Sequence, residues 1–265
     1  MTWTTRQRFN LTNEIASIRS GEGAPVALIH GVGLCADSWG AQIDPLAKDF
    51  CVYALDMPGH GQSTAFTDTP ELSDYVDRIA DALGTIGEPM CIAGHSMGAL
   101  VALEIAIRYP SMCLGVAALN TVYRRSEQAR NGIKERARAL SLTDTNDPTP
   151  TLERWFATDT SSEAANACRH WLTSVDPSAY GAAYRVFANA DGPSDAGLQN
   201  LECPALYLTG EDEPNSTPAM SEALATQTPN ARAHVVPGAA HMAMMTHPDA
   251  VTRALSDFFH RCIEA

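Results

Sequence analysis

Apolar residues along this chain fall into short dense runs separated by longer amphipathic stretches. The dense runs are Pro25-Val26-Ala27-Leu28-Ile29, Phe50 to Leu55, Met90 to Ala93, Cys113 to Leu119 and Pro204 to Thr209. Near-continuous apolarity over so few residues is what a parallel strand buried on both faces requires. A weaker run over 233–236 predicts a last strand, and loose alternation over 6–20 predicts edge strands. The stretches between have helical spacing. After Thr69-Pro70-Glu71, read as cap, proline and first-turn acid, Leu72, Val76, Ile79 and Leu83 recur every three or four residues. Thr217-Pro218 opens another helix, and a closing helix over 248–263 buries Val251, Leu255, Phe258 and Phe259. Strand and helix in alternation predict an α/β fold, a mostly parallel sheet with helices on both faces. Sites in such sheets lie at the carboxyl ends of the strands, where His30, Asp56, Ser96 and Asn120 fall.

The rhythm breaks after Asn120. Residues 122–200 read as helices and loops without a buried strand: helices over 124–140, 152–156, 164–172 and 179–188, and a polar loop over 144–150. This predicts a helical cap over 122–200, inserted into a core of 1–121 and 201–265. Trp155, Phe156, Trp171, Tyr180, Tyr184 and Phe187 are spaced to pack a small core in the cap, with facing a substrate the alternative for some of them and Trp155 the candidate to line the pocket.

Composition narrows the partners. A net charge of −13 with 18 basic and 31 acidic residues argues against nucleic acid and anionic membrane. A small anionic substrate stays compatible, since one arginine from the basic stretch 124–138 would hold its carboxylate. No apolar run approaches the roughly 18 residues of a membrane span, and residues 1–10 lack the apolar segment of a secretory signal. Seven scattered cysteines without a Cys-x-x-Cys spacing predict buried free thiols in a reducing cytoplasm. The partner expected is a small molecule, with the protein a monomer or homodimer and no metal or organic cofactor implied.

The run at Met90 ends in Gly94-His95-Ser96-Met97-Gly98, and a helical pattern follows. Strand, sharp turn and helix with a serine at the apex hold the hydroxyl exposed. They also aim the Met97 N–H at a developing oxyanion. His30-Gly31-Val32-Gly33, after the preceding apolar run, offers Val32 N–H as second donor. Gly31 and His95 stand beside the expected pocket. His30 fits both a loop-bracing and a pocket role, and Asp56 and Ser63 fit braces for their own glycine-rich loop.

A serine hydroxyl needs a base, and the base an orienting acid. His241 follows the last strand in a Gly-Ala-Ala loop. Glu211, Asp212 and Glu213 follow the strand before it, so the order serine, acid, histidine is the one this elbow calls for.

On His30-Gly31, Asp56-x-x-Gly59-x-Gly61-x-Ser63, Gly94-x-Ser96-x-Gly98, the 210–214 loop and His241, the chain resembles the α/β-hydrolase superfamily across nearly its whole length. The resemblance implies acyl transfer to Ser96, with His241 as base and Val32 and Met97 as oxyanion donors. It places the acid three residues past Gly210, at Glu213, where the family more often has aspartate. Asp212 remains the alternative. Serine at the elbow speaks against haloalkane dehalogenases and epoxide hydrolases. Met242, where carbon–carbon bond hydrolases commonly have tryptophan, lowers that reading and stands as a pocket candidate. The cap resembles that of 3-oxoadipate enol-lactonases. The expected activity is hydrolysis of a small carboxylic ester or lactone. Amide or carbon–carbon bond hydrolysis is the alternative, and a non-catalytic small-molecule receptor is the alternative of another class.

Overall fold

The computed structural model describes residues 2–140, 147–156 and 159–264. Its centre is an eight-stranded sheet. The strands are β1 (Phe9–Asn10), β2 (Ala16–Ser20), β3 (Pro25–Ile29), β4 (Cys51–Leu55), β5 (Met90–His95), β6 (Cys113–Leu119), β7 (Ala205–Gly210) and β8 (Ala231–Val236), in the order β1-β2-β4-β3-β5-β6-β7-β8. β1–β2 and β2–β4 pair antiparallel at one edge, and the remaining pairs, β4–β3, β3–β5, β5–β6, β6–β7 and β7–β8, are parallel. The sheet is therefore α/β with an antiparallel margin, as the apolar runs predict. Every residue of β3, β4, β5 and β7 is buried, which is why those segments carry no polar alternation.

Helices cover the sheet: α1 (Gly40–Leu46), α2 (Leu72–Gly84), α3 (Met97–Arg108), then α4 (Glu127–Leu140), α5 (Thr149–Phe156), α6 (Glu163–Ser174), α7 (Pro177–Asn189) and α8 (Asp195–Gln199) between β6 and β7, and finally α9 (Pro218–Gln227), α10 (Ala243–Thr246) and α11 (Pro248–Ile263). α11 buries Val251, Leu255, Phe258 and Phe259. α2 starts later than Pro70 suggests. Glu71 is its cap, with the Glu71 N–H donating to Asp74 Oδ2 at 2.7 Å. α5 starts earlier, at Thr149. Of the loop expected over 144–150, residues 144–146 lie outside the described residues. α8 is an element the apolar pattern does not reveal. Its signal is Ser194, whose Oγ accepts the Gly197 N–H at 3.1 Å.

All seven cysteines are free and buried. Among the described residues no helix is long and apolar enough to cross a membrane.

Candidate active site

Ser96 sits between β5 and α3 with φ 55° and ψ −116°, a backbone conformation that side chains other than glycine's hydrogen disfavour. The turn closes only because its neighbours lack side chains. A Cβ on Gly94 would lie 2.0 Å from the Gly98 carbonyl oxygen, and one on Gly98 2.4 Å from the oxygens of Ile29 and His30. The Ser96 N–H donates to Leu119 O at 2.8 Å, locking the elbow to β6.

The facing loop after β3 is pinned from behind. His30 Nε2 accepts the Met57 N–H at 2.9 Å, so its Nδ1 carries the hydrogen and donates to Gly31 O at 2.7 Å. In a trans peptide the N–H points opposite to the C=O, so the Val32 N–H is turned away from His30. His60 Nε2 accepts the Gly33 N–H at 3.0 Å and fixes the next peptide. Burial holds both histidines below their usual range, hence neutral and able to accept. Among the described residues no protein acceptor takes the N–H of Val32 or Met97. Asp56 and Ser63 brace the same region. Asp56 meets Arg8 Nε at 2.9 Å and the Ala36 N–H at 2.8 Å, and Ser63 Oγ donates to Asp56 O at 2.7 Å.

Across the cavity, His241 Nδ1 lies 2.5 Å from Glu213 Oε2. The other carboxylate oxygen accepts the N–H of Asn215 at 2.6 Å and of Ser216 at 3.3 Å. Burial alone would raise the Glu213 carboxyl. His241 and these donors outweigh it and bring the group down to about 2. An ionised carboxylate only accepts, so His241 carries its hydrogen on Nδ1 and leaves Nε2 with a free lone pair. Asp212 is exposed and makes no bond to His241 among the described residues. Of the two candidate acids, Glu213 is the one the structure brings to His241. Asn120, at the end of β6 with φ 50°, donates from Nδ2 to Glu213 Oε2 at 3.3 Å. Its place at a strand end is visible in the sequence, whereas its role is not. An asparagine there, among the few residues tolerant of positive φ, was the available signal.

Ser96 and His241 both line a cavity of about 300 Å³. No hydrogen bond joins their side chains among the described residues. Gly31, Val32 and His95 line the cavity too, as does Trp155, whose ring stacks on the His241 imidazole at 5.7 Å and 26°. His30 and Met242 do not line it. Both are 0% exposed, His30 because its two nitrogens serve the loops, Met242 because it packs in the core beside α10. They are corrected from pocket to supporting residues.

The aromatic residues between β6 and β7, expected to pack a small core with some free to face a substrate, do both. Phe156 and Trp171 are core, but Tyr180, Tyr184 and Phe187 join Trp155 on the cavity wall, since their spacing on α7 gives them one helix face. Three arginines line the cavity: Arg125, Arg136 and Arg154. No aspartate or glutamate does, among the described residues. Arg125 is 5% exposed; burial lowers it to about 10, and it donates to Ala190 O and faces Asp191 at 3.7 Å. Arg136 Nε donates to the Tyr184 hydroxyl at 3.3 Å and Arg154 Nη2 to Thr151 Oγ1 at 2.9 Å. Neither meets a carboxylate among the described residues.

The site carries an acid limit. His95, 1% exposed, donates from Nε2 to His241 O at 2.9 Å. Burial, then the neighbouring His241, lowers it from 6.5 to about 3. Between those values the unfolded chain binds a proton the folded one refuses, so stability is full above pH 6.5 and is lost as pH falls. From pH 7 to 5 this group alone costs about 2 kcal/mol. Urea unfolding at both pH values should show His95→Gln, which keeps a donor for His241 O, losing about 2 kcal/mol less than wild type. Equal losses would contradict it.

Ser96 at its strained elbow and His241 held by the buried Glu213 thus meet at one cavity of a mostly parallel sheet of α/β architecture. The chain belongs to the alpha/beta hydrolase family, whose profile matches residues 26–254. It is similar to the (E)-2-((N-methylformamido)methylene)succinate hydrolase of Acinetobacter baylyi, 40% identical over 237 residues that cover 89% of this chain and 90% of that protein. Among solved structures it resembles a thermophilic esterase from Thermogutta terrifontis with malate bound (TM-score 0.86, 26% identity, 97% of this chain and 99% of that one). The enol-lactonase of Burkholderia xenovorans shares the fold (TM-score 0.81, 24% identity, 92% of this chain and 95% of that one).

Proposed function

We propose that the protein is a serine hydrolase that cleaves an acyl bond of a small dicarboxylate, with an amide attached to an unsaturated dicarboxylate as first choice and an ester or lactone second. The observation that carries this reading is the cavity: Ser96, His241 and Val32 line it together with three arginines, and no carboxylate does among the described residues. In a chain of net charge −13 that local sign reversal selects an anion. The compound named for the Acinetobacter baylyi relative is a succinate bearing a formamide, and the Thermogutta terrifontis esterase holds malate. Both are dicarboxylates.

In this account His241 Nε2 takes the Ser96 proton as Oγ attacks the acyl carbon. The N–H groups of Val32 and Met97 receive the oxyanion. Glu213 holds the imidazole and stabilises its cationic form. His241 gives the proton to the leaving nitrogen or oxygen, water then attacks the acyl-serine with His241 again as base, and the acid is released. Residues 122–200 act as a cap on a core of 1–121 and 201–265. Trp155 shields His241 from solvent, and Arg136 and Arg154, which meet no carboxylate among the described residues, hold the substrate carboxylates.

The test is turnover of purified protein on matched amides, esters and lactones, each with two, one or no carboxylates. Dicarboxylates should exceed their neutral counterparts in kcat/KM by two orders of magnitude or more, a charge-assisted hydrogen bond being worth about 1.5–3 kcal/mol. Equal rates on neutral and dianionic members would remove the proposal. Arg136→Gln and Arg154→Gln should each raise KM for the dianion by about 10–100-fold and leave p-nitrophenyl acetate hydrolysis within about twofold. A loss on both substrates alike would assign these arginines to the fold instead.

A further inference from the structure

At the end of the sheet opposite the cavity, four of the seven cysteines gather. Cys91 is the second residue of β5, Cys113 opens β6, Cys203 precedes β7 and Cys262 lies in the last turn of α11. In the ladder Met90 pairs with Cys113 and Cys91 with Gly115. Side chains of residues paired across parallel strands share a face, and the strands run about 4.8 Å apart. Gly115 leaves its place on that face empty, and Cys262 occupies it: a Cβ on Gly115 would lie 2.5 Å from Cys262 Sγ and 3.1 Å from its Cβ. Cys91, paired with Gly115 one strand over, presents its side chain on that same face, beside Cys262.

The two thiols differ in character. A hydrogen bond from Cys91, together with Arg261 and Arg232, lowers Cys262. The bond to Cys262, with burial, raises Cys91. Cys262 is 7% exposed at the end of α11 beside Arg261 and Arg232, while Cys91 is 0% exposed in a central strand, so the outer thiol is placed to attack and the inner one to resolve. The last turn of a helix lacks onward backbone partners and is the part that opens first, which gives Cys262 access to a reagent.

We propose that Cys262 and Cys91 form a dithiol modification site that a low-molecular-weight disulfide such as glutathione disulfide oxidises to an intrachain disulfide. The Cys262 thiolate attacks one sulfur of the reagent, forming a mixed disulfide and expelling one glutathione thiolate. Cys91 gives up its proton and attacks Cys262 Sγ, expelling the second. Two protein thiols are oxidised, one reagent disulfide is reduced, and both protons leave on the two glutathione molecules. The bond ties α11 to the central strand β5 and leaves the cavity untouched.

The native protein is incubated with glutathione disulfide, its remaining thiols are alkylated under denaturing conditions, and its peptides are mapped by mass. The expected result is one linkage between the Cys91 and Cys262 peptides, an apparent Tm higher by roughly 5 °C or more, and unchanged turnover. In Cys91→Ser, Cys262 should instead carry a lasting glutathione adduct. Cys91→Ala gives the same readout if serine disturbs folding. A chain whose thiols all stay reduced, an adduct on a different cysteine, or a link between Cys113 and Cys203 in place of this one would overturn the proposal.

Discussion

Ser96→Ala should lower kcat/KM by about 10⁴-fold or more without unfolding the protein. The hydroxyl is the only nucleophile the account uses, and its loss leaves the oxyanion amides and the arginines in place. Residual activity should therefore be that of an assembled but nucleophile-free pocket. The backbone argues that the fold survives, because alanine at φ 55° is no more strained than serine. Glycine makes the complementary case. Ser96→Gly removes the Cβ that makes this conformation costly, so it should be equally inactive yet more stable by about 1 kcal/mol. Urea midpoints of the three proteins check this. A Ser96→Gly protein no more stable than wild type would show that the elbow stores no strain.

Glu213→Gln should lower kcat by about 10³–10⁴-fold with KM little changed, whereas Asp212→Asn should stay near wild type. Glutamine keeps the volume but not the charge. Amides of residues 215 and 216 donate to Glu213 Oε1. They would hold the amide oxygen of glutamine there and turn its NH₂ toward His241, forcing the hydrogen onto Nε2. The base would then be in the wrong tautomer at the atom that must accept the serine proton. Glu213 adds a second acid limit below that of His95. With its carboxyl at about 2 against 4.5 unfolded, Glu213 stabilises the folded state above the unfolded value and loses that contribution as pH falls between the two. A comparable loss of kcat in Asp212→Asn would reverse the assignment.

Much of this site was legible because its signals are local. Strand, Gly-x-Ser-x-Gly and helix lie within one stretch of chain, and the order of Ser96, Glu213 and His241 follows from which apolar run each one ends. What escaped depends on the direction of side chains in space. Met242 follows His241 in the chain but turns into the core, while Trp155, from a distant helix, stacks on the imidazole. His30 ends a strand as Ser96 does, yet both its nitrogens are spent on backbone groups. Tyr180, Tyr184 and Phe187 look the same in sequence whether they pack a core or line a cavity. The basic stretch 124–138 gave one expected pocket arginine. The fold delivers Arg125 and Arg136 from it and Arg154 from α5; which guanidinium turns inward is set by the packing of these elements, which composition does not carry.

The central claim is that Ser96 is the residue acylated in turnover. A fluorophosphonate probe followed by peptide mass mapping tests it most directly. The account predicts one adduct, on Ser96, formed at a rate that falls by orders of magnitude in His241→Ala. An unlabelled protein that still hydrolyses its substrate, or an adduct on any other residue, would contradict it.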